Sequence, residues 1–440
     1  MALLNKPLIL WDTSERHLEE AAFLWACWEQ ALVAPDHVLA EVESLEERLH
    51  AHMDGLVLAG EHVSKRLLLP ALESGDGEAL PVAAFALLKS GTPVGADAVL
   101  QRLVSADAAA QAILRRVLEL LEPSRLPSWL QSLLREEQPL LQALAMEVLG
   151  QHQLAPAAAC HTFAEHEAPE VAAAAIRAAA RCRVKLSPAV LDRALASPVT
   201  EVRDAAIETG LIGGHRSAWL ACRTAIQSRV PGSMLPLLVL AIAGNEREME
   251  ELQALLSVEK LQPGVIWSLG FSGRIACADT CLDLMKEEPL AALAGEAFSA
   301  ITGLHIEGRY AAQGSHSESP EPPPLEEEDL DADLVPRPTD ALPLPQLSTI
   351  AGWWQQTRPH MARRQRYLEG ALFGPQALLD ALTLGSMRRR HVLALELAIR
   401  SRGAYQLPTC AFAKRQAGAM RMARKALPHG LDKGFRDGLF

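Results

Sequence analysis

Aromatic residues are scarce in this chain, at 5%, and β-branched ones are sparse, while Ala and Leu dominate segment after segment. That bias favours helices over sheets. The seven cysteines, at 27, 160, 182, 222, 277, 281 and 410, include no CxxC pair. Neither a disulfide framework nor a zinc site is indicated, and reduced thiols are expected. A basic excess is also missing: the net charge of −12 argues against general binding of nucleic acid, whose phosphates demand Lys and Arg. No window approaches the roughly 18 apolar residues of a membrane span. The densest run, Met234 to Ala243, contains Pro236 and reads as a buried helix. Lys6 and Pro7, with few apolar residues before Asp12, do not read as a secretory signal, so a cytoplasmic protein is expected.

What the chain does have is repetition. Between residues 70 and 305, short apolar helices stop at Gly91, near Leu121, and at Gly150, Arg181, Gly210, Gly244, Gly270 and Gly303. The mean step is about 30 residues, the signature of a solenoid whose hairpins bury their apolar faces against each other. A shared grammar opens several units: Pro139, Pro169, Pro198 and Pro289 stand at helix starts, where a missing N–H is tolerated. Alanines then recur at helical spacing, letting neighbouring helices approach closely. The expected fold is all-α, a right-handed helical-repeat solenoid of roughly seven or eight hairpins.

Residues 1–69 read as an N-terminal helical cap. One helix starts at Thr13 or Ser14 and runs to about Val33, a second from Asp36 to about Gly60. Phe23, Leu24, Trp25 and Trp28 are expected to pack in its core. Residues 306–340 are expected to form an acidic, Pro-rich disordered linker, with nine acids against one Arg over 315–340. Residues 341–440 read as a basic helical segment, with sixteen Lys or Arg against five acids from Arg358 onward.

The repeats, with Trp267-Ser-Leu-Gly-Phe-Ser-Gly273 above all, resemble HEAT repeats of the subtype named after phycobilisome lyases. Two further stretches are similar to the signatures of one bacterial HEAT-like family: Leu45 to Gly60, and in the tail Trp353-Trp354, Arg366-Tyr367-Leu368-Glu369-Gly370, Leu384 to Arg390 and Leu393 to Leu397. Members of that family are encoded among type VI secretion genes, near spike, adaptor and effector genes. The resemblance implies a HEAT-like fold and an adaptor or chaperone-like role; it brings no catalytic residue, and lyase activity does not follow from a shared repeat.

Chemistry-bearing motifs are missing: GxSxG, HExxH, a phosphate-cradling glycine loop and a dinucleotide fingerprint do not occur. His50 and His52 would stand about 200° apart on a helix and so do not converge on one ion, even with His62, Glu46, Glu47 and Asp54 close by. Cys277 and Cys281 share a helix face without a matching pair and read as buried thiols. A non-enzymatic chain without cofactor or metal that does not insert into membranes is therefore expected, and the family resemblance implies that it binds a secretion effector, spike or adaptor protein. The basic tail has two readings. It folds against the acidic linker, or it docks an acidic partner through Trp353, Trp354, Arg363, Arg364, Arg366, Tyr367, Arg388, Arg389 and Arg390. The alternative class is a HEAT-repeat nucleic-acid-binding protein, or a DNA glycosylase-like enzyme, working through that same basic region.

Overall fold

The computed structural model describes residues 9–229, 232–312 and 337–425. The protein is all-α: the described residues hold 22 α-helices, and their strands are a single two-residue antiparallel pair. None of these helices is long and apolar enough to cross a membrane. The chain divides into two compact units. One comprises Met1–Leu32, His37–Gly213 and Tyr405–Met422, the other Val33–Asp36, Gly214–Ala404 and Ala423–Phe440. The division falls inside the stretch expected to form one array, and the basic tail is shared between the units.

In the first unit, the helix Trp11–Ala31 packs on Leu39–Leu58, and both pack on Ala79–Ser90. Trp25, Trp28 and Phe85 meet there edge to face, with Phe412 against Trp28 at 4.9 Å between ring centres. Phe23, expected in this core, is instead 63% exposed: it lies on the side of the helix away from Trp25 and Trp28. From Ala79–Ser90 a row continues through Ala108–Leu120, Pro139–Gln151, Pro169–Arg181 and Thr200–Gly213, each helix packing on the next. The step along this row is the thirty-residue period of the sequence. Between row members lie shorter helices, Ala157–Phe163 and Pro188–Leu195 among them, each packed on the row helix that follows it.

Alanine makes the row tight. Ala172 to Ala175 and Ala178 to Ala180 are all buried in Pro169–Arg181, so its neighbours approach the backbone from both sides. Arg177 ties three row helices together: its Nε donates to Glu147 at 2.6 Å and its Nη2 to Glu201 at 3.0 Å. The tail segment 405–422 closes helix ends in this unit. Arg415 donates to the carbonyls of Glu119 and Gln151, meeting C-terminal carbonyls that lack helical partners, and Gln406 donates to that of Ala180, which also accepts the Arg183 N–H.

The second unit repeats the scheme. Met234–Ala243 packs on Gln262–Leu269, which packs on Glu288–Thr302, with Glu246–Ala254 and Ile275–Leu284 between them and Arg216–Gln227 ahead of the first. Two of the expected glycine stops are helix stops in the left-handed conformation, Gly91 at φ 69° and Gly303 at φ 75°. Gly150 stands one residue before the end of its helix, and Gly210 lies inside a helix that runs on to Gly213. The acidic stretch falls outside the described residues over 313–336. Where it is described, Ala311 bridges Pro345 and the Ala312 N–H donates to Leu344.

Candidate functional site

The tail motifs converge in the second unit on the turn that follows Gln262–Leu269. Gly273 there has φ 64° and its carbonyl accepts the Tyr367 N–H at 2.8 Å. Tyr367–Leu368 and Ala371–Leu372 form the strand pair, closed by Glu369 and Gly370, both at positive φ. The N–H groups of Glu369 and Gly370 donate to the carbonyls of Ala300 and Ile301, so this hairpin tip caps the helix Glu288–Thr302. A Cβ on Gly370 would lie 2.7 Å from the Thr302 carbonyl oxygen. Glycine is required there by space as well as by dihedral angle.

Arginines lock the same turn. Arg366 donates to the Phe271 carbonyl and Arg389 to that of Gly270, each at 2.9 Å. The Arg389 guanidinium lies 3.9 Å from the Phe271 ring centre, and that of Arg388 lies 4.4 Å from Trp267. Glu396, fully buried on the helix Met387–Arg400, accepts a two-pronged ion pair from Arg366 and a further bond from Arg400 at 2.7 Å. Burial pushes the Glu396 carboxyl up, but the two guanidiniums prevail and hold it below the ordinary value. Burial raises Glu296, which faces Arg388 at 3.5 Å. It also pushes Arg389 down to about 10.

Of the nine residues expected to meet a partner, five are committed within the unit. Arg390 is 0% exposed and donates to the Leu382 carbonyl. Arg389, Tyr367 and Trp354 are buried, and Arg366 is anchored on Glu396. The Trp354 Nε1–H donates to Asp279 at 2.8 Å, where Arg358 forms a forked pair with the same carboxylate. Arg388 and Trp353 are half-buried, the latter against Trp354 and Phe298. Arg363 and Arg364 are exposed. The partners that the sequence reading missed are Asp279, Glu296 and Glu396. Only the Glu396–Arg400 spacing of four residues carried a sequence signal.

The thiols carry no sign of activation. Burial pushes Cys160 and Cys277 up to about 11 and Cys281 higher still, away from the thiolate form. His50 packs against Phe412, and the His52 ring meets a histidine of another helix, His17. Among the described residues, no group of three or more His, Cys, Asp or Glu side chains is placed to hold a metal ion. No family model and no curated protein matches the chain.

Proposed function

We propose that this chain is a non-enzymatic protein-binding scaffold, an adaptor or chaperone-like accessory of bacterial type VI secretion that holds an effector or spike component in the cytoplasm. The observation that carries the reading is the row of alternate helices in each unit, with its ionic groups directed into cohesion between layers. Arg177 on Glu147 and Glu201 does this between row helices of the first unit, and Arg366 on Glu396 does it within the tail segment of the second, and both support the reading. Stacked helical rows of this kind offer long faces of many weak contacts, which suit a protein partner. The resemblance of the repeats and signatures to a HEAT-like family encoded among secretion genes supplies the choice of partner.

Arg363 and Arg364 are the docking candidates in the basic tail, because they keep their guanidiniums in solvent. With Arg366, Arg389 and Arg390 turned inward, the tail offers phosphates fewer cations than its sequence suggests. That favours an acidic protein surface over nucleic acid. The test is to purify the full chain with the spike, adaptor and effector proteins encoded beside its gene and to follow each pair by size-exclusion chromatography and calorimetry. A stable stoichiometric complex with one of them is expected. Failure to associate with any of them overturns the reading.

A further inference from the structure

The N-terminal helices bring together two histidines that lie 35 residues apart. His17, on Trp11–Ala31, and His52, on Leu39–Leu58, face each other with their Nδ1 atoms 3.0 Å apart and their rings at 73°. Both side chains are half-buried. The seat for His17 is Gly55, one turn beyond His52: a Cβ there would lie 2.9 Å from Cδ2 and Nε2 of the His17 ring. The glycine is thus what lets the His17 ring settle against the second helix, with its Nδ1 aimed at His52. Glu20, one turn beyond His17, adds negative charge toward His52, while Arg48 adds positive charge.

We propose that His17 and His52 form a two-imidazole site for a divalent transition-metal ion, with water completing the coordination. A cation about 2.05 Å from each Nδ1 would subtend about 94° at this spacing, close to the right angle between neighbouring ligands in tetragonal Cu(II) or Ni(II) sites. A tetrahedral ion asks for a wider bite, so Cu(II) and Ni(II) are favoured over Zn(II), in line with the general affinity order. Each imidazole would bind through Nδ1 and keep its proton on Nε2. The ion would clamp the two helices that begin the first unit.

The untagged full chain, stripped with a chelator, is titrated with CuCl2 and with NiCl2 by calorimetry, and the Cu(II) spectrum is recorded by electron paramagnetic resonance. One saturable site of about micromolar Kd is expected, with nitrogen superhyperfine structure and a rise in Tm, because the paired imidazoles bind the ion more tightly in the folded state than in the unfolded chain. His17→Gln and His52→Gln should each weaken binding by about tenfold or more and abolish the rise in Tm. Gly55→Ala should weaken binding through displacement of the His17 ring, and His161→Gln, on an exposed position elsewhere in the unit, should leave it intact. Absence of saturable binding overturns the proposal, leaving a pair bridged by a proton. So does binding of unchanged affinity in both His17→Gln and His52→Gln, whose folding is checked by circular dichroism.

Discussion

Gly150 lies so close to Ala178 that a Cβ on the glycine would stand 2.8 Å from the alanine's Cβ and 2.9 Å from its Cα. The two residues sit on adjacent row helices of the first unit, at the contact that sets their separation. A side chain at 150 has no flexible neighbour to displace, since the obstacle is backbone and a methyl group. Helix propensity alone would favour Gly150→Ala by about 1 kcal/mol. The clash reverses the sign: Gly150→Ala should destabilise the unit, and Gly150→Val should cost about 1–3 kcal/mol, the range for overpacked cores. Urea unfolding followed by far-ultraviolet circular dichroism measures both. A midpoint at or above that of the unaltered chain would show that the row does not pack as described.

Glu396, fully buried, is shared between Arg366 and Arg400. Removing the carboxylate takes from both guanidiniums a buried acceptor and the negative charge they share, so Glu396→Ala should cost about 3–5 kcal/mol. Its pH dependence has a definite sign. Because the folded-state pKa lies below the ordinary value, the stabilisation is fully present above the unfolded pKa and is lost as pH falls through the folded one. The unaltered chain should therefore lose more stability than Glu396→Gln on acidification below about pH 4. Parallel acid-denaturation slopes for the two proteins would contradict this.

The helical period was legible because it is written locally. Pro139 and Pro169 open helices in the structure as they do in the sequence pattern. Two signals misled for physical reasons. A glycine that stops a helix and one that lies inside it look alike in sequence, which is why Gly210 read as a stop three residues early. The tail arginines left a binding surface open beside the structural reading because charge is visible in sequence and its neutralisation is not. Arg366 meets Glu396 thirty residues later, and Trp354 meets Asp279 seventy-five residues earlier. His17 and His52 were hidden in the same way: helix geometry excludes a pairing of His50 with His52, but says nothing about a ring supplied by another helix.

Glu46 joins the first helices to the tail segment in the first unit. Its carboxylate accepts the Trp28 Nε1–H at 2.8 Å and the Ala413 N–H at 2.7 Å. Burial outweighs both bonds and pushes its pKa up to about 7. The folded state then holds a proton that the unfolded chain releases near its ordinary value, so this group destabilises the fold progressively as pH rises from about 4.5 to 7. One pKa unit is about 1.4 kcal/mol, which sets the effect on the order of 3 kcal/mol. Glu46→Gln should remove that slope and be relatively most stable, against the unaltered chain, near pH 8. Thermal unfolding across pH 5 to 8 reads it directly, and an unchanged slope in Glu46→Gln would refute the assignment.

Arg363 and Arg364 separate the structural role of the basic tail from the binding role proposed for it. Both are exposed, so replacing them with Glu should change stability by no more than about 0.5 kcal/mol. If an acidic partner docks there, the double reversal loses two charge-assisted contacts and introduces repulsion, and affinity should fall by about tenfold or more. The neighbouring Arg366→Ala has the opposite profile: it strips Glu396 and the Phe271 carbonyl of a buried donor, so the unit should destabilise whether or not a partner is present. Calorimetric affinity and Tm measured on the two variants side by side distinguish these roles. Undiminished binding by Arg363→Glu/Arg364→Glu would move the docking surface away from the tail and onto the faces of the helical rows.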